Sequence, residues 1–176
     1  LYTNNNMEQT NFYENTQYSF ERTERKTIIL DIDYDDLVNE ITFDGSTNGK
    51  GKLLEPLRID VISDIYLDNL TIADCIDNGS ANPTIKSGFI FDIEQFDIKN
   101  NSNNSKFFNK LIIPNENGTS GGTKTQKSRK MNYVSTINPK KIDRLSGSIS
   151  LLDGSTRIFK TTSNGRLTAE FVIIAK

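Results

Sequence analysis

The chain predicts an all-β fold, an antiparallel sandwich with almost no helix, and three observations carry that expectation. Apolar residues recur two apart, as in Leu167, Ala169, Phe171 and Ile173, the period of a strand buried on one face. Turn signals such as Asp153-Gly154 and Asn164-Gly165 separate the runs where the backbone needs positive φ. No long window keeps a 3.6-residue period.

Residues 1–26 contain scattered aromatics among Asn, Gln, Glu and Thr and almost no aliphatics, so they cannot fold alone and read either as an extended arm that lies on another surface or as a disordered tail. The first strand is expected at 27–33, with Ile28, Leu30 and Ile32 on one face, and the second at 41–44. Residues 35–40 form a weak helical stretch between them, and the Gly-rich 45–52 reads as a loop. The run 57–76 splits into two pieces. Ile59, Val61, Ile65 and Leu67 share one parity, and Leu70 and Ile72 take the other. A bulge or tight bend near Asp68-Asn69 accounts for the slip. Phe89, Phe91 and Ile93 share a face, after which Phe96 and Ile98 change parity, so a bend is expected at Glu94-Gln95. The tract 99–106 reads as an exposed low-complexity loop, 110–114 as a short strand closed by Pro114, and 115–130 as a long loop. From Met131 to Lys176 three or four strands follow, with a single helical turn at 138–145 and a central strand at 166–176. The expected core includes Ile28, Leu30, Ile59, Val61, Phe89, Phe91, Ile112, Ile149, Phe171 and Ile173. Eight strands with long connections favour Greek-key, jelly-roll wiring over residues 27–176, behind an arm at 1–26.

Composition narrows the function classes. The chain has 176 residues, a net charge of −2 and 35% hydrophobic residues, enough for one domain with a thin core. An acidic balance argues against a nucleic-acid partner, and the basic run 124–130 reads as a solvated loop. Cys75 is the only cysteine and lies in an apolar stretch, so it reads as a small buried hydrophobe, and no intrachain disulfide can form. No apolar run approaches the roughly 18 residues of a membrane helix. No secretory leader is visible, and a first residue of Leu1 implies a native start upstream. Sequons such as Asn69-Leu70-Thr71 are expected by chance in an Asn-rich chain. Abundant Asn, Ile and Lys point to an AT-rich source genome.

The sequence offers no catalytic or cofactor motif. There is no histidine, which removes the commonest general base, Ser-His-Asp chemistry and Cys/His zinc sites. Neither a phosphate-binding loop nor a dinucleotide fingerprint occurs. Asp31, Asp33, Asp35 and Asp36 superficially suggest a calcium loop, yet the glycine and closing glutamate it requires are out of register. Their alternation with Leu30 and Ile32 reads as the solvent face of a strand. A carboxylate pair of the glycosidase kind could form only between distant strands, and no Trp is present to stack a sugar. No catalytic, cofactor-binding or metal-ligating residue is therefore assigned, and the chain is not expected to be an enzyme.

The blocks ISDIYLDNLTI at 62–72, GFIFDIEQFDIKNNSN at 88–103, LIIPNE at 111–116, KMNYVSTINPKKIDRLSGSISLLDG at 130–154 and AEFVIIAK at 169–176 occur in an order that resembles a known family. The likeness is to the single jelly-roll penton and minor capsid proteins of nucleocytoplasmic large DNA viruses, the giant viruses and their relatives. It covers about two-thirds of the chain and consists of structural motifs. The resemblance implies a structural role in the virion of an icosahedral capsid, assembled in the host cytoplasm. It also implies a homopentamer at the vertices, among capsomers of a double jelly-roll major capsid protein and other minor capsid proteins. The same likeness admits a minor capsid protein that cements capsomers. A receptor- or carbohydrate-binding spike head, reading its target through the loops 100–106 and 115–127, is a further alternative. In the arm, Tyr2, Phe12, Tyr13, Tyr18 and Phe20 are the expected anchors on a neighbouring subunit.

Overall fold

The structure, a computed structural model, describes residues 24–33, 41–44, 50–73, 88–114, 125–127, 131–152 and 166–176. Those residues form eleven strands and one 3₁₀ turn, with no α-helix among them. In chain order the strands are β1 (Arg25–Asp33), β2 (Ile41–Asp44), β3 (Lys52–Ile59), β4 (Ser63–Ala73), β5 (Gly88–Ile93), β6 (Leu111–Pro114), β7 (Thr125–Lys127), β8 (Asn132–Ile137), β9 (Lys140–Arg144), β10 (Ser146–Leu151) and β11 (Arg166–Ala175). The sandwich is all-β and antiparallel, as expected.

One sheet runs β1-β11-β4, with β7 and β8 sharing the far side of β4. The other runs β2-β10-β5-β6. Apart from β5-β6 and β7-β8, consecutive strands belong to different sheets, and most neighbours in space come from distant parts of the chain. That is jelly-roll-like wiring. The eight expected strands become eleven for two reasons. The strand beside β4 is divided into β7 and β8, and an extra pair, β3-β9, lies outside both main sheets.

Strand alternation places one residue set between the sheets. Ile28, Leu30 and Ile32 of β1, Ile65, Leu67, Leu70 and Ile72 of β4, and Leu167, Ala169, Phe171 and Ile173 of β11 come from one side. Phe43, Phe89, Phe91, Ile93, Leu111, Ile113, Ile149 and Leu151 come from the other, in a single buried cluster. Each fully buried aliphatic or aromatic side chain contributes about 1.5–3 kcal/mol, so this layer dominates the favourable side of folding.

Two parity slips have local causes. Glu170 of β11 faces Asn69 and Phe171 faces Leu67, so Asp68 is the extra residue of a bulge. Both halves of β4 therefore direct their aliphatics inward. The second slip is the 3₁₀ turn Glu94–Phe96, followed by Asp97 in the left-handed region at φ 49°. Phe96 is fully buried and meets Phe171 edge to face, with ring centroids 4.8 Å apart. The Phe96 carbonyl accepts a bond from Ser135 Oγ of β8, and Gln95 Oε1 accepts one from the Ser146 N–H of β10 at 2.7 Å. This turn ties one sheet to the other.

Several expectations need correction. Val61 is 47% exposed, because it lies in the link between the end of β3 at Ile59 and the start of β4 at Ser63. Ile112 is 45% exposed; the register sets Leu111 against Phe91 and Ile113 against Phe89, which turns Ile112 outward beside Ile90. The turn expected at 138–145 is strand β9, held by pairing with Leu57, Arg58 and Ile59. The long loop at 115–130 contains β7, which pairs with Thr71, Ile72 and Ala73. Strand β1 begins at Arg25, two residues inside the expected arm. Asp35, Asp36, Cys75 and the turns at 153–154 and 164–165 lie outside the described residues. Among the described residues no helix is long and apolar enough to cross a membrane.

Candidate assembly surface

The expected arm anchors Tyr2, Phe12, Tyr13, Tyr18 and Phe20 all lie outside the described residues. The described residues begin at Glu24, at the head of β1. Ala175 N donates to the Glu24 carbonyl at 3.1 Å, extending the β1-β11 ladder by one step. Lys176 N donates to the Ile62 carbonyl at 3.0 Å. Lys26 Nζ donates to the Arg58 carbonyl and lies 3.1 Å from Glu24 and 3.7 Å from Asp60. Arg58 Nε in turn donates to Asp60 at 2.6 Å. The point of entry into β1 is thus fixed by backbone bonds and by a chain of ion pairs.

On the outer face of the same sheet, Asp64 accepts from Thr136 Oγ1 and from Lys176 Nζ, the latter at 2.9 Å. The Thr136 hydroxyl, with Lys176 beside it, holds Asp64 below the usual carboxylate range against the opposing effect of burial. Lys176 is correspondingly raised by its bond to Asp64. Tyr133 bonds Thr136 at 2.9 Å and meets Tyr66 edge to face at 5.8 Å. Tyr133 is 55% exposed and Ile29, on the same face, is 60% exposed. Farther along, Arg166 forks onto Asp31, with Nε donating to Oδ1 at 2.8 Å and Nη2 to Oδ2, and lies 3.4 Å from Asp33. That fork lowers the Asp31 pKa and raises Arg166. Asp31 and Asp33 occupy the solvent face of β1, as their alternation implied, and neutralise a cation of the chain itself. Among the described residues no group of three or more Cys, Asp or Glu is arranged to hold a metal ion.

The low-complexity tract is an ordered loop. Asn100 mimics a strand partner, donating from Nδ2 to the Lys110 carbonyl at 2.6 Å and accepting from Lys110 N at 3.3 Å. Within the loop the Asn101, Ser102 and Asn104 side chains accept from the amides of Ser102, Asn104 and Lys106 at 2.9, 3.1 and 3.0 Å. Asn109 takes φ 56°, a conformation asparagine tolerates. The loop presents Phe108, 51% exposed. The Asn and Ser spacing was the available signal, since each side chain caps the amide one or two residues on.

The β3-β9 pair borders a cleft of about 380 Å³ lined by Arg58, Ile59, Asp60, Pro139, Lys140 and Lys141. Arg58 and Lys141 stand directly opposite each other, an unfavourable like-charge pair. Asp60 offsets Arg58, and Asp97 bonds Lys140 at 2.7 Å. Asp60 is thereby engaged by cations, and the cleft offers no free carboxylate pair. Sheet edges, exposed apolar side chains and a built loop are features of a surface that docks on other chains. Compared with known proteins, the chain matches no family model, and no curated protein matches it.

Proposed function

We propose that this chain is a structural, non-catalytic subunit of an icosahedral large-DNA-virus capsid, a homopentameric penton at the five-fold vertices. One observation carries the reading. The blocks through which the chain resembles single jelly-roll capsid proteins overlap β4, β5 with its 3₁₀ turn, β6, β8, β10 and β11 of the two main sheets, together with β9. Such a subunit needs a rigid sandwich and edges on which others dock. Its neighbours in this reading are copies of itself, the double jelly-roll major capsid protein and other minor capsid proteins. The alternative within the same reading is a cementing role, in which the subunit ties capsomers together through the β1 edge, which carries no proline or bulge.

Deletion of residues 1–23 tests the reading together with the arm and keeps Glu24, Arg25 and Lys26, which belong to the β1 ladder. The melting temperature of the isolated domain is expected to stay nearly unchanged, because such a segment contributes little burial of its own. Incorporation into particles, followed by a tag visible in a particle density map, is expected to be lost. A protein absent from particles that gives a strong signal on a glycan array would replace the shell reading with the spike-head one. Assembly of the truncated chain as efficient as that of the full chain would remove the role of Tyr2, Phe12, Tyr13, Tyr18 and Phe20.

A further inference from the structure

The edges of the two main sheets differ in how well they are guarded. Strands β2 and β6 have four residues each, and β6 ends in Pro114. Strand β8 carries a bulge at Val134, and the separate β3 holds Pro56 and an irregular register. Short strands, prolines and bulges are the devices by which edges avoid pairing with other chains. Strand β1 has none of these three and is guarded only by charge, at Arg25, Lys26, Asp31 and Asp33. It is nine residues of regular alternation without proline or bulge, and among the described residues it pairs only with β11. Its outward side chains run Arg25, Thr27, Ile29, Asp31, Asp33, positive at one end and negative at the other.

We propose that β1 is a homodimer edge, pairing antiparallel with β1 of a second copy about a two-fold axis at Ile29. The strand is self-complementary in that register. Centring on Ile29, the midpoint of Arg25–Asp33, sets Arg25 against Asp33 at both ends and Thr27 against Asp31. The exposed Ile29 meets its own equivalent, and Ile28 meets Leu30 on the core side. Arg25 has no ion-pair partner among the described residues, and Asp33 is 58% exposed with only a 3.4 Å approach from Arg166. Each side therefore brings one exposed cation and one accessible carboxylate to the other. An isologous contact of this kind closes on itself and cannot propagate into fibres. The two sheets would continue across the axis as one, with ladder hydrogen bonds supplying the affinity. The inference does not rest on the shell reading, although a two-fold contact suits a subunit that joins capsomers.

The full-length chain with Cys75→Ser and Ile29→Cys tests the register. Residues facing each other in an antiparallel pair have Cα atoms about 4.5–5.5 Å apart, within disulfide range. Oxidation is expected to give a covalent dimer at Ile29→Cys and none at Thr27→Cys, whose equivalents lie four residues out of step. Sedimentation of the unlinked protein should show twice the 19.9 kDa chain mass, or ten times it where the five-fold contacts also form. Arg25→Asp should weaken that association about tenfold or more by opposing like charges at both ends, and adding Asp33→Arg should restore it. Circular dichroism checks that each variant remains folded. A single-chain mass up to the solubility limit, equal cross-linking at positions 27 and 29, or a failure of the double exchange to restore association would each overturn the proposal. A pentamer without the Ile29 cross-link would overturn it while leaving the shell reading intact.

Discussion

Truncating Phe171 to Ala should empty a fully enclosed site in the core. The ring is fully buried in β11, with Ile28 of β1 and Leu67 of β4 directly opposite it in register and Phe96 edge-on at 4.8 Å. Backbone ladders on both sides hold those neighbours in place, so the cavity cannot collapse. Removal of a buried Phe costs about 3–5 kcal/mol, and a site that cannot relax belongs at the upper end, about 4–5 kcal/mol. Part of that loss is the ring–ring contact, about 0.5–1.5 kcal/mol. A double-mutant cycle with Phe96→Ala isolates it, because the rings touch. The measurement is urea unfolding of the wild type, both single variants and the double variant, with m-values compared so that midpoint shifts can be read as stability. A loss under about 1 kcal/mol for Phe171→Ala, or perfect additivity with Phe96→Ala, would refute the packing described.

Gly147→Ala should fail for a different reason, since a Cβ there would lie 1.8 Å from the Asp92 carbonyl oxygen and 3.0 Å from the Phe43 ring. Strand β10 would have to move off β5, and a loss of about 2 kcal/mol or more is expected; thermal melts within about 0.5 kcal/mol of wild type would contradict that close approach. Arg166→Gln should show a pH-dependent defect. Because the fork depresses the folded Asp31 pKa below 3.8, its contribution is present above that pH and is lost as pH falls through the folded value. The melting-temperature gap between wild type and variant should therefore be widest near neutrality and close in acid, and a gap independent of pH would exclude the linkage. Asn100→Ala should open the loop without unfolding the domain. Hydrogen exchange at the Lys110 and Asn109 amides should accelerate while global stability changes by less than about 1 kcal/mol, and unchanged exchange there would rule out the amide clasp.

Where burial alone sets the pattern, the sequence was readable. The alternation in β1 and β11, the aromatic face of β5 and the bulge at Asp68 all follow from which side chains leave water. Ile112 was misread because three apolar residues in succession, Leu111, Ile112 and Ile113, carry no parity, and only the partner strand decides which two turn inward. Strand β9 hid behind its charges: Lys140, Lys141, Asp143 and Arg144 leave Ile142 as its one core side chain. The ordered loop at 100–110 looked featureless because its bonds come from polar side chains capping nearby amides. The assembly surface was harder still. The residues favoured from sequence lie in the arm, whereas the self-complementary edge emerges only once β1 is known to be a sheet border with Arg166 engaged beside it.

The position of β11 also governs how the molecule can be made. It lies between β1, near the start of the chain, and β4, so one sheet acquires its middle strand last. Until residues 166–175 leave the ribosome, β1 and β4 are two separated ribbons with open edges and no common face to bury. Pairings of such long sequence separation close slowly, and the waiting strands are exposed to one another on neighbouring polysomes. The sandwich should therefore fold after synthesis of β11 and not progressively along the nascent chain, with Ile28, Leu30 and Ile65 held in water until then.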